Sequence, residues 1–181
     1  MTPADAPTRC DVLVIGGGPA GAATAHWLAE AGRDVVVVEK KTFPREKTCG
    51  DGLTPRAVKQ LDDMGLTPAL EGHHRYDGLR AIAHGVTLEL EWPEHPVYPS
   101  HGYVVRRRDL DGLVADRAVA LGATLHTGTE AVRPIQHDGM VVGATVKDKE
   151  SGTERDILAR YVVVADGANS RFGRALGTAR N

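Results

Sequence analysis

The chain has 181 residues, a length typical of one ordinary domain and sufficient for a hydrophobic core. Its formal net charge is -2 and its pI is about 6.4, so electrostatic binding to nucleic acid is not indicated. The two cysteines, Cys10 and Cys49, cannot build a disulfide framework and favour a reducing compartment. We therefore expect a cytoplasmic protein, and the composition leaves peripheral contact with a membrane surface open.

The first part of the chain predicts a strand, a helix and a second strand. Residues 1–10 are polar, lack the apolar segment of a secretory signal, and are predicted to form a disordered tail. Residues 11–15 form an apolar run that suits a buried parallel strand. An alanine-rich helix is predicted over residues 19–31 and a second buried strand over residues 35–39. Three such elements within about 30 residues indicate a βαβ unit.

The rest of the chain predicts a mixture of strands and helices. Thr54 and Pro55 are suited to the start of a helix. A proline-rich segment breaks the pattern after residue 92, and "HDG" at residues 137–139 indicates a hairpin turn. The predicted strands are 79–83, 87–92, 103–105, 132–137, 140–147 and 161–165, and the predicted helices are 110–121 and 170–176.

Three glycines at the junction of the first strand and the start of the first helix have G-x-G-x-x-G spacing. Gly16 permits a tight turn, Gly18 lets a pyrophosphate approach the backbone, and Gly21 lets the helix pack closely on the strand. Glu39 ends the second strand, where an acid hydrogen-bonds ribose hydroxyls, and it favours a ribose without a 2′-phosphate. FAD and NAD both remain open, and a glycine turn without a ligand is the alternative. The predicted nucleotide-binding residues are Gly16, Gly18, Pro19, Ala20, Gly21, Glu39 and Lys40.

Four stretches together resemble the flavoproteins related to aromatic hydroxylases. They are the glycine unit at residues 14–40, "FPREKTCGDGLTPRAV" at 43–58, "VVRRRDLDGLVADRA" at 104–118 and "VVVADGANSRFGRALG" at 162–177. The resemblance is strongest to the geranylgeranyl reductase family, which includes the menaquinone reductases. It implies a Rossmann-like, FAD-binding, three-layer α/β domain over residues 11–181. It also implies the start of a small β-rich insertion on the substrate side, at about residues 72–104.

The resemblance implies further cofactor-binding residues. Gly50 and Gly52 would let the backbone pass close to the flavin ring. Arg45 would face phosphate or ribityl oxygens, and Cys49 would point toward the substrate as a proton donor or as a wall of the pocket. A buried, small apolar role for Cys49 is the alternative. The remaining residues implied by the resemblance are Asp51, Arg107, Val132, Asp166 and Gly167.

The function implied by the resemblance is FAD-dependent reduction of carbon–carbon double bonds in an isoprenoid chain. Its substrate would be a prenyl lipid or an isoprenoid quinone. The proton would come from Cys49 or water, and the electron donor is left open among NAD(P)H, ferredoxin and other carriers. No metal site is predicted, because the eight histidines lack metal-ligand spacing.

Two alternatives to this function remain. A flavin-dependent aromatic monooxygenase or halogenase is one, although the Trp-x-Trp-x-Ile-Pro stretch of halogenases is absent and Gly173 stands where hydroxylases carry an arginine. The other is a cofactor-binding fragment without turnover. Family members continue into a third flavin-contacting segment and the rest of the substrate domain. The resemblance therefore implies that the 181-residue chain alone retains flavin weakly and has little activity.

Overall fold

The computed structural model describes residues 9–178. The chain divides into two compact units. We call residues 9–45 and 111–178 the sheet unit and residues 46–110 the inserted unit. The predicted insertion at about 72–104 lies inside the inserted unit. Most of the predicted tail, residues 1–8, lies outside the described residues.

Residues 9–178 form eleven strands and five helices. They are β1 (Arg9–Ile15), α1 (Pro19–Glu30), β2 (Val35–Val38), β3 (Gly52–Leu53), α2 (Pro55–Asp63), α3 (Thr67–Leu70), β4 (His74–Tyr76), β5 (Gly78–Ala83), β6 (Val86–Glu91), β7 (Gly102–Val104), α4 (Arg107–Ala120), β8 (Thr124–His126), β9 (Thr129–His137), β10 (Met140–Asp148), β11 (Glu154–Val164) and α5 (Arg171–Ala175).

The sheet unit contains a six-stranded sheet in the order β8-β2-β1-β11-β10-β9. Strands β8, β2, β1 and β11 run parallel, and β9 and β10 are antiparallel to their neighbours. The valines of β2 are all buried, which explains why this strand reads as an unbroken apolar run. Parallel strands joined by α1 and α4 place the carboxyl ends of β1 and β2 at one edge, beside the glycine turn.

Two apolar clusters cover the two faces of the parallel strands. On one face, alanines of α1 and α4 pack against valines of β1 and β2. On the other, Leu13 and Val36 pack against Val146 of β10, Ile157 of β11 and Phe172 of α5. The antiparallel strands therefore form a layer over the face opposite the helices. This confirms the prediction of a three-layer α/β domain.

The inserted unit has two small sheets. One has the strand order β3-β7-β4, and the other is the hairpin β5–β6. Tyr76 closes the first sheet, because its hydroxyl donates to the carbonyl of Leu53 at 3.0 Å. In the hairpin, Leu79 lies opposite Leu90 and both side chains are about half exposed. The β-rich character predicted for this segment is therefore present.

Several element boundaries differ from those predicted. Strand β1 begins at Arg9, so residues 9 and 10 belong to the sheet rather than to a tail. Strand β11 begins at Glu154 instead of residue 161, because its charged first half pairs with β10 and buries only one face. Strands β3, β4 and β8 and helix α3 were not predicted. Each has four residues or fewer, too short for a periodic signal.

Candidate nucleotide-binding site

The turn after β1 and the first turn of α1 are packed so tightly that each requires a glycine. Gly16 has φ +100°, and a Cβ there would lie 2.5 Å from the carbonyl oxygen of Ala165. A Cβ on Gly21 would come within 1.8 Å of the carbonyl oxygen of Gly16. The first turn of α1 therefore lies directly against the strand-end loop.

Helix α1 begins at this turn with no side-chain cap. Gly18 is the N-cap residue, with φ -70° and ψ 179°, and Pro19 occupies the first helical position. The backbone N–H groups of the first turn have no intrahelical partner, and the helix dipole adds positive character. Ala20 and Gly21 lie in this turn, which is suited to receive phosphate oxygens.

Glu39 lies just beyond the end of β2 and is held by backbone groups. Its side chain is buried, Oε2 accepts from the Gly17 N–H at 2.8 Å, and Oε1 accepts from the Lys41 N–H at 3.0 Å. A carboxylate oxygen has two lone pairs, so each oxygen can accept a further hydrogen bond. The two backbone hydrogen bonds hold the Glu39 side chain in place at the C-terminal ends of the parallel strands.

A cavity of about 450 Å³ opens beside these residues, within the range of small-molecule sites. Four of the predicted residues, Gly16, Glu39, Lys40 and Asp166, line it together. Val132 does not, although its neighbour Ala131 does. The cavity also has walls that the sequence did not predict, formed by Lys41, Thr129, Glu130, Lys149, Asn169 and Arg171.

Asp166 follows β11 on the wall of the cavity. Its Oδ1 is buried and has no hydrogen-bond partner among the described residues. Gly167, the next residue, has φ +94° and so takes a backbone conformation that favours glycine. Ser170 then caps α5, because its Oγ accepts from the Gly173 N–H at 2.7 Å. Asp166 thus offers an unused acceptor beside the glycine turn.

Arg45 contacts carboxylates in the sheet unit. Its Nη2 lies 3.0 Å from Oδ2 of Asp111 and 4.0 Å from Oε2 of Glu39, and its guanidinium carbon is 5.5 Å from the centroid of the Phe43 ring. The Asp111 side chain is fully buried. The resemblance implied that Arg45 faces cofactor oxygens, and the structure shows its guanidinium already paired with acidic side chains.

The remaining predicted residues belong to the inserted unit. Cys49 is free and exposed, so its alternative interpretation as a buried apolar residue is wrong. A Cβ on Gly50 would meet nothing within 4 Å, and one on Gly52 would lie 3.5 Å from the Tyr76 hydroxyl oxygen. Packing therefore requires glycine at neither position, which leaves the backbone there free for close approach by a ligand.

Asp51 and Arg107 are joined by a hydrogen bond. Oδ1 of Asp51 accepts from the Arg107 N–H at 3.0 Å, and the carbonyl of Asp51 accepts from the Val105 N–H at 2.8 Å. The Arg107 side chain is buried. Asp51 therefore holds the beginning of α4, a structural task that the sequence did not reveal.

The residues of the sheet unit fit the adenosine and pyrophosphate parts of FAD. The observations are the uncapped start of α1, the backbone-held carboxylate of Glu39 and the unpartnered Oδ1 of Asp166, all around the glycine turn. Across residues 9–178, no group of histidine, cysteine and acidic residues could hold a metal ion. Within the same range, no helix is long and apolar enough to cross a membrane.

Fold and site together define a dinucleotide-binding α/β domain. The chain belongs to the family described as FAD binding domain, which matches residues 9–181. FAD is therefore the cofactor of this domain.

Three relatives illustrate the similarity. The menaquinone reductase of Mycobacterium tuberculosis (strain ATCC 25618 / H37Rv) is 47% identical over 92% of this chain and 40% of its own length. Digeranylgeranylglycerophospholipid reductase 1 of Methanopyrus kandleri is 34% identical over 92% of this chain and 42% of its own. The structure of a myxobacterial chondrochloren halogenase has a TM-score of 0.85 at 27% identity, over 93% of this chain and 40% of its own. The chain thus spans about two fifths of the length of these relatives.

Proposed function

We propose that the protein is an FAD-dependent oxidoreductase that reduces carbon–carbon double bonds of an isoprenoid chain. The observation that carries the proposal is the cavity around Glu39, in a chain that is 47% identical to a menaquinone reductase. A relative named for a geranylgeranyl lipid supports the same class of substrate. The substrate would be a menaquinone side chain or a geranylgeranyl lipid.

In this proposal the sheet unit binds and orients the cofactor. When bound, FAD supplies the two-electron chemistry of the reduction. The carboxylate of Glu39 accepts hydrogen bonds from the adenosine ribose, and the first turn of α1 donates to the pyrophosphate. Gly18 lets the pyrophosphate approach, because it has no side chain at the start of that helix. Asp166 offers Oδ1 to a cofactor hydroxyl.

Cys49 is the proposed source of the proton that reaches the reduced carbon, with water as the alternative. Its thiol is exposed and free, so a substrate can reach it. Cys49→Ala should lower the rate of reduction about a hundredfold if the thiol is the donor, the lower range for a general acid. An unchanged rate would assign the proton to water.

The test is a mass measurement on the product. The protein is loaded with FAD, reduced anaerobically and incubated in separate reactions with menaquinone and with a geranylgeranyl lipid. After any quinol has been reoxidised in air, we expect the lipid to retain a gain of about 2 Da for each double bond reduced. A matched reaction with Gly21→Ala, whose glycine turn is disrupted, should give no gain. An unchanged lipid mass in the presence of bound, reduced FAD would overturn the proposal for this chain and favour the alternative of a cofactor-binding fragment without turnover.

A second candidate, flavin-dependent halogenation or hydroxylation of an aromatic compound, is favoured by the likeness to the chondrochloren halogenase. Such enzymes consume oxygen in the presence of their aromatic substrate. Oxygen uptake by the FAD-loaded protein that depends on an aromatic compound would support this candidate. Uptake unaffected by aromatic compounds, together with the mass gain above, would exclude it.

The partners and location follow from the proposed substrate. An isoprenoid substrate partitions into lipid, so we propose a cytoplasmic protein that contacts a membrane surface peripherally. Free Cys10 and Cys49 support a reducing compartment. NAD(P)H and reduced ferredoxin are the electron donors to test first, by following bleaching of the flavin absorbance.

A further inference from the structure

Three charged side chains of the sheet unit lie close together. They are Glu39, Arg45 and Asp111. Arg45 lies between two carboxylates, and its Nη2 is 3.0 Å from Asp111 but 4.0 Å from Glu39. The shorter distance is that of a charge-assisted hydrogen bond, and the longer one is only an ion-pair contact. The guanidinium is therefore held by Asp111 rather than by Glu39.

The burial of these groups makes the arrangement rigid. The side chain of Asp111 is fully buried, and that of Arg45 is only 10% exposed. Phe43 lies under the guanidinium, which limits its movement on that side. Weakly screened charges of this kind attract each other strongly, so removal of one partner drives the guanidinium toward the other.

Glu39 would lose acceptor capacity if the guanidinium moved closer. Each of its oxygens already accepts one backbone hydrogen bond, from Gly17 or Lys41, which leaves limited room for further donors. A guanidinium at hydrogen-bond distance from Oε2 would compete with a ribose hydroxyl for that oxygen.

We infer that Asp111 is a positioning residue that retains Arg45 and so keeps the Glu39 carboxylate available to the adenosine ribose. Asp111 lies on α4, whereas Glu39 follows β2. In this inference Asp111 affects ribose binding through its contact with Arg45. The inference rests on FAD binding by the domain and is independent of the reduction proposed above.

The experiment compares the affinity for FAD with that for its 2′-deoxyadenosine analogue, by flavin fluorescence titration. Loss of a hydrogen bond to a charged group corresponds to at least about a tenfold difference between the two cofactors in the unaltered protein. In Asp111→Asn the guanidinium shifts onto Glu39, and the difference should fall to within about threefold. The double variant Asp111→Asn with Arg45→Met lacks the competing guanidinium. In it, the difference in affinity between FAD and its 2′-deoxyadenosine analogue should return to at least about tenfold.

Two further variants separate this positioning role from a general structural one. Asp109, on the same helix as Asp111, is a partly exposed partner of Arg106, and Asp109→Asn should leave the difference between cofactors unchanged. A purely structural role for Asp111 would weaken both cofactors equally and leave their ratio intact, which would overturn the inference.

The double variant Arg45→Met with Asp111→Leu covers the case in which Asp111→Asn alone does not fold. Replacing both partners of a buried ion pair by apolar side chains is well tolerated. The ratio between cofactors should then match that of the unaltered protein. A collapsed ratio in this folded variant would mean that Arg45 supports Glu39 directly, and the inference would be wrong.

Discussion

Strand β2 of the sheet unit and strand β6 of the inserted unit are both rich in apolar side chains, but their surroundings differ. Helices and antiparallel strands cover the two faces of β2, and its valines are buried. The residues of strand β6 are all exposed, and this strand belongs to a two-stranded hairpin. Leu79, Ala81 and Ala83 of β5 lie opposite Leu90, Leu88 and Val86 of β6, so one face of the hairpin is wholly apolar.

The comparison shows that apolar composition does not by itself create a core. A strand contributes to stability when a second layer covers it, and an isolated two-stranded hairpin is marginally stable. Nucleotide binding depends on the rigid layer, because the glycine turn and Glu39 follow directly from β1 and β2. We therefore expect substitutions in the two regions to differ in a measurable way.

The largest expected effect comes from paired leucine truncations. Leu13 in β1 is 0% exposed, and Leu88 in β6 is 52% exposed. Leu13→Ala should lower the free energy of unfolding by about 2–5 kcal/mol, because it leaves a cavity in the core. Leu88→Ala should cost less than about 0.5 kcal/mol, measured for both variants by urea denaturation. Equal costs would mean that the hairpin face is covered in solution.

Glycine substitutions test the same difference between the sheet unit and the inserted unit, and their expected effect is the second largest. Gly21→Ala places a Cβ against the carbonyl of Gly16, so the start of α1 must move. It should lower the free energy of unfolding by about 1–3 kcal/mol and weaken FAD binding at least tenfold. Gly72→Ala in the inserted unit is the control, because its Cβ meets nothing within 4 Å. Unfolding and fluorescence titrations check both, and tight FAD binding by Gly21→Ala would contradict the expected geometry.

The smallest expected effect is a pH dependence that belongs to the sheet unit. His26 in α1 is fully buried without a hydrogen-bond partner among residues 9–178, and its pKa is lowered by burial first, with a raising contribution from Glu30 and a lowering one from Arg117. Below about pH 6.5 the unfolded chain binds a proton that the folded chain excludes. Stability is therefore full above that pH and falls as the pH drops, by at most about 1.4 kcal/mol per unit.

Urea unfolding at several pH values between 5.5 and 7.5 measures this slope. His26→Leu should reduce the dependence of the free energy of unfolding on pH. Part of that dependence should remain, because burial and Arg155 also lower the pKa of His126. Trp27→Phe is the matched control, since it alters the ring edge-on to His26 without removing a titrating group. An unchanged slope in His26→Leu would show that His26 takes up a proton in the folded state.

The sequence predicted the βαβ unit well because its signals are local. The glycine spacing and two unbroken apolar runs lie within residues 11–39, and each needs only a short window to be recognised. Strand β11 was predicted only in its second half, because it begins with three consecutive charged residues, Glu154, Arg155 and Asp156, which resemble a turn. Short strands such as β8 depend on pairing with β2 and have no signal of their own.

The site was predictable where its residues follow one another in the chain. Thr129 and Lys149 reach the cavity from β9 and from the turn after β10, and long-range pairing brings them there. The Arg45–Asp111 pair joins residues far apart in sequence, so no local pattern could reveal it. The burial of Asp111, which explains why it needs a partner, becomes visible only in the structure.

The Arg45–Asp111 pair also marks the two points where the chain passes between the sheet unit and the inserted unit. The chain leaves the sheet unit after Arg45 and returns at Asp111, so the side chains at the exit and re-entry points are in direct contact. A segment of any length that starts and ends at these two residues leaves the rest of the sheet unit's connectivity unchanged. The length of the inserted unit can therefore change while the parallel strands, the glycine turn and Glu39 of the sheet unit keep their places in the chain.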